Sequence, residues 1–82
     1  MKYSLKTWEN AINECLYGRK NGDGTIIWLS PSLLEILQSS IYFDCEKGIF
    51  NGFECFNWPK DADGYDKARF YIVNNNELAL KT

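Results

Sequence analysis

Apolar residues near the start of the chain recur at helical spacing: Leu5, Trp8, Ile12, then Cys15 with Leu16, and Ala11 beside them. That stripe predicts a helix over residues 7–17 with its apolar side toward a core. Ser4 or Thr7 can cap its start and Gly18 is suited to the position after its end. The polar run Arg19-Lys20-Asn21-Gly22-Asp23-Gly24 predicts a turn, because Gly and Asn tolerate positive φ. Thr25-Ile26-Ile27-Trp28-Leu29 then reads as a short buried strand. Ser30-Pro31 is a helix start, with Ser as N-cap and Pro at the first helical position. Leu33, Leu34 and Leu37 give that brief helix one apolar side, and Ser39-Ser40 ends it.

The pattern changes in the second half, where alternation replaces helical spacing. Asn51-Gly52 is a strong hairpin signal of the type I′ kind. Folding about it pairs Phe50 with Phe53, Ile49 with Glu54, Lys47 with Phe56 and Cys45 with Trp58. Side chains alternate along a strand, so one face receives Ile41, Phe43, Cys45, Ile49, Phe56 and Trp58. The other receives Tyr42, Asp44, Glu46, Phe50, Phe53, Cys55 and Asn57. The first is the expected core side and the second the open side; a tight turn at Lys47-Gly48 mixes the two and is set aside. Residues 59–66 are turn chemistry throughout. A second hairpin is expected about Asn74-Asn75-Asn76, with Phe70, Ile72, Leu78 and Leu80 on its apolar side. The whole predicts an α+β fold: one domain, residues 1–82, with an antiparallel sheet of four to five strands and two helices packed on one face.

Composition narrows the function classes. The chain has 82 residues, which allows one core and no second unit. Its net charge is −2, and Lys and Arg are scattered singly rather than clustered as a nucleic-acid footprint requires. No apolar run approaches a membrane span and the first residues carry no signal-peptide pattern, so a cytoplasmic protein is expected. Cys15, Cys45 and Cys55 are odd in number and contain no C-x-x-C pair. Cys15 and Cys45 are assigned to the core and Cys55 to a more exposed position. The hairpin register puts Cys45 and Cys55 on opposite faces, which excludes a disulfide between them. The chain has no histidine, so the commonest general base and metal ligand is missing, and no cofactor is expected.

Several groups of residues have the composition of a chemical site. Asp61, Asp63 and Asp66 alternate around Gly64 as in a calcium loop. An EF-hand needs a Glu at its twelfth position, however, where this chain has Ile72, and a solvated turn accounts for the segment. A catalytic pair among Asp44, Glu46 and Glu54 needs a buried carboxylate, and Asp44 and Glu46 fall on the open face. Residues 67–73 share aromatic and basic character with the RNA-binding strand of an RNA-recognition motif, but lack its central Gly and its βαββαβ order.

What remains is a surface pattern. The acids Asp44, Glu46, Glu54, Asp61, Asp63 and Asp66 are interleaved with Phe50, Phe53 and Tyr65, aromatic anchors within an acidic rim, which suits a protein partner with a basic surface. The expectation is a non-enzymatic protein-binding module. Lys outnumbers Arg and Asn is frequent, the bias of AT-rich coding sequence. Small acidic domains of this build are common among phage and mobile-element products that inhibit host enzymes or defence systems, such as anti-CRISPR and anti-restriction proteins. The alternatives are a metal-binding protein or enzyme built on residues 61–66, and a toxin-neutralising immunity protein.

Overall fold

The structure, a computed structural model, describes residues 4–59 and 66–74. Its elements follow in the order α1 (Leu5–Cys15), β1 (Thr25–Leu29), α2 (Pro31–Leu37), β2 (Phe43–Asp44), β3 (Ile49–Phe50), β4 (Phe53–Asn57) and β5 (Phe70–Asn74). The fold is α+β. Five strands form one sheet in the order β2-β3-β4-β1-β5, antiparallel except that β1 and β4 run parallel. A parallel neighbour requires a crossover of about a dozen residues or more, and the segment holding α2 and the β2–β3 hairpin supplies it.

The helix ends follow their caps. Ser4 caps α1, its hydroxyl accepting the Thr7 N–H at 3.2 Å. Ser30 caps α2 with Pro31 in the first turn. Beyond α1 the chain reverses through Gly18, at φ +85°. The buried Ser40 hydroxyl donates to the Glu9 carboxylate, tying the end of α2 to α1.

The core gathers Ile12 and Leu16 of α1, Leu33 and Leu37 of α2, Ile27 and Leu29 of β1, and Phe50 and Phe53. Phe70 and Ile72 of β5 pack against it, on the side expected of them. The partner hairpin strand with Leu78 and Leu80 lies outside the described residues.

Two expectations for the first hairpin are overturned. The Asn51-Gly52 turn is present, with φ of +50° and +88°, and the pairs Ile49–Glu54 and Phe50–Phe53 form. But the strand before it is broken: residues 45–48 make a second turn, pairing Phe43 with Phe50 and Asp44 with Ile49. Gly48 at φ +66° closes that turn, with its N–H donating to the Asp44 carbonyl at 2.8 Å. Cys45 therefore never reaches Trp58.

Beyond that turn the faces are reversed, whereas Phe43 and Asp44 before it keep the core and open sides expected of them. Phe50 and Phe53 are buried at 0% and 6% exposure, while Ile41 is 90% and Phe56 42% exposed. The parallel pairing decides this: Ile27 aligns with Cys55, which sets Phe53 and Cys55 on the core side of Ile27 and turns Glu54 and Phe56 away. The cysteines invert accordingly. Cys15 and Cys45 are exposed, Cys55 is half-buried, and all three are free.

Candidate functional site

The sheet face turned away from the core is built from residues that alternate with those of the core cluster, and Ile26 among them is itself only 8% exposed. Cross-strand partners share a face, so the pairings define two rows. In the first, Trp28 of β1 lies between Tyr71 of β5 and Phe56 of β4. In the second, Val73, Ile26, Glu54, Ile49 and Asp44 run from β5 to β2. The Trp28 and Phe56 rings meet edge to face, their centroids 5.3 Å apart and their planes at 72°. Tyr71 is 60% exposed. The open face thus carries three adjacent aromatic residues beside an aliphatic row that holds two carboxylates.

The second row runs into a cleft of about 410 Å³ at the hairpin end of the sheet, lined by Ile26, Ile49, Glu54, Gly22, Gly24 and Gly52. The preceding loop is fixed by Asp23, which accepts the N–H groups of Lys20 at 3.0 Å and Thr25 at 2.9 Å. Hydrogen bonds from Thr25 and Lys20, with the Arg19 charge nearby, hold the Asp23 carboxyl below its ordinary value. A second cleft of about 400 Å³ lies by α2 and includes Gln38, Cys45, Lys47 and Cys55. Burial pushes the Cys55 thiol up to about 11, so this thiol stays protonated and is a poor nucleophile. Among the described residues no group of three or more His, Cys, Asp or Glu side chains could hold a metal ion. No described helix is long and apolar enough to cross a membrane.

The residues expected to form a docking patch are dispersed. Phe50 and Phe53 are core, so they are not surface anchors. Asp44 stays on the open face, where its carboxylate also shapes the 45–48 turn by accepting the N–H groups of Glu46 and Lys47 at 3.0 and 3.2 Å. Glu46 is exposed within that turn, and Asp66 is exposed. Asp61, Asp63 and Tyr65 lie outside the described residues. Sequence reasoning missed Trp28, Phe56 and Glu54 as one surface. The signal for Trp28 was its parity: it alternates with Ile27 and Leu29 and so faces away from whatever they bury.

Neither a protein-family model, a curated protein nor a solved structure matches this chain.

Proposed function

We propose that the protein is a non-enzymatic binding module that engages another protein through the open face of its sheet, acting as an inhibitor or adaptor. The supporting observation is the row Tyr71–Trp28–Phe56, with Phe56 and Tyr71 exposed on a face opposite the core. Large aromatic side chains held rigidly on strands supply contact area at low entropic cost and dominate binding energy where they cluster. The neighbouring carboxylates of Glu54 and Asp44 suit a basic partner. Base stacking on single-stranded nucleic acid is disfavoured here, since it calls for open ring faces in a positive groove. Trp28 and Phe56 instead close on each other edge to face, next to a carboxylate row.

The test compares quantitative capture from host lysate by the wild type and by the double variant Phe56→Ala/Tyr71→Ala. A bound protein lost from the variant, while its melt stays that of a folded domain, supports the reading. A partner held equally by both overturns it, as does displacement of the captured protein by an oligothymidylate.

A further inference from the structure

We infer that the cleft at the hairpin end of the open face is a socket for a lysine or arginine side chain of the partner, an inference that rests on the binding reading above. Its floor is apolar: Ile26 and Ile49 flank Glu54 in one cross-strand row. The Glu54 side chain is exposed between them, and it is the charged group among the cleft's lining residues. One wall is formed by Gly22, Gly24 and Gly52, which bring no side chain into the space. A Cβ placed on Gly22 would meet nothing within 4 Å, whereas one on Gly52 would run into the Asn21 side chain, which covers that edge of the wall.

That combination has one good match among the side chains. Lys and Arg lay an aliphatic stem on apolar surface while keeping a cationic head at a carboxylate or in water. Here the stem would lie on Ile26 and Ile49 and the head would reach the Glu54 carboxylate. The nearby charges favour the same sign. Asp44 follows Ile49 in the row. Arg19, whose guanidinium donates to the Thr25 hydroxyl at 3.3 Å, is offset by the adjacent Asp23 carboxylate. A glycine-walled cleft is also the form of a phosphate cradle, but the Glu54 carboxylate would repel an anion.

The position also implies a sequence pattern in the partner. Ile26 and Glu54 precede Trp28 and Phe56 by two residues on their strands, a step of about 7 Å. An extended segment that rests an apolar side chain on the aromatic row therefore places its basic residue two positions away.

The probe is a displayed library of random 12-residue peptides selected on the intact protein, with binding mapped by amide NMR shifts. Selected peptides are expected to carry Lys or Arg near an apolar residue and to shift the resonances of Ile26, Ile49 and Glu54. Replacing the basic residue by norleucine, or Glu54→Gln, should each weaken binding about threefold to fivefold, as for an exposed ion pair. Glu54→Lys should abolish the basic preference while the melt is unchanged. Peptides that cover Tyr71 and Phe56 with no basic preference and no response to Glu54→Gln overturn the socket and leave the open-face reading standing. Peptides that shift no resonance on the open face, or a library that yields none, overturn both.

Discussion

The Ser30 hydroxyl accepts the backbone N–H of Arg69 at 2.8 Å, and the Ser30 N–H donates to the Arg69 carbonyl at 3.0 Å. The same hydroxyl caps α2, where it faces the Leu33 N–H at 3.5 Å. One fully buried serine thus ends β1, starts α2 and anchors the approach to β5. Ser30→Ala leaves two donors without this acceptor, so a loss of about 2 kcal/mol is expected. Urea unfolding of the variant checks it; a loss within a few tenths would show that the anchoring is carried by the backbone pair alone.

The face reversal yields a sharp contrast. Phe50→Ala empties a site with 0% exposure and is expected to cost ~3–5 kcal/mol. Ile41→Ala, at a residue 90% exposed, should change stability by no more than about 0.5 kcal/mol. Paired thermal melts distinguish this arrangement from one with Ile41 inward.

At the hairpin tip, Gly52 sits at φ +88°, where a side chain is strained, and an added Cβ would clash with the Asn21 side chain. Asn21 is exposed and can swing aside, so the backbone conformation sets the cost. Gly52→Ala should lose about 1–2 kcal/mol. Adding Asn21→Ala should recover only a small part, as a double-mutant cycle in denaturant would measure.

The thiols should separate by reactivity. Burial raises Cys55 from 9.0 to about 11, whereas Cys15 and Cys45 are exposed. Alkylation by iodoacetamide at pH 8, followed by peptide mass mapping, should label Cys15 and Cys45 first and Cys55 last. The same shift links stability to alkaline pH. Below pH 9 the Cys55 thiol is protonated in both folded and unfolded chains; between 9 and 11 the unfolded chain releases the proton and the folded one retains it. Stability should fall across that window, and Cys55→Ala should flatten the decline relative to wild type. An unchanged slope would show Cys55 to be solvated.

Local signals in the sequence were strong enough to place most elements. Ser30 and Pro31 mark a helix start by chemistry confined to a few neighbours, and Thr25–Leu29 is a strand with those bounds; α1 is capped by Ser4 and so spans Leu5–Cys15 rather than 7–17. The Asn51-Gly52 turn was equally legible. What escaped was the choice of face along residues 49–57, whereas Phe43 and Asp44 lie on the sides expected of them. That choice depends on β4 lying parallel to β1, a contact between distant parts of the chain that no local pattern announces. The 45–48 turn was hidden for a related reason. Separating charged from apolar residues along one long strand looked better than breaking it, yet Gly48 and the Asp44 carboxylate stabilise the break locally. The candidate site inherited the error: Phe50 and Phe53 were read as surface, while Trp28 and Phe56, the aromatic residues of the open face, were read as core. Tyr71 was placed correctly because Phe70 and Ile72 on either side of it pack on the core.

The central position of β1 also bears on how the chain is made. Both strands that flank β1 come from the other half of the chain, so α1, β1 and α2 leave the ribosome well before them. Until those strands arrive, Ile26, Ile27 and Trp28 present two bare hydrogen-bonding edges to whatever is nearby. The nascent N-terminal half is therefore the sticky stage of biogenesis, and truncations that end before β4 should aggregate rather than fold.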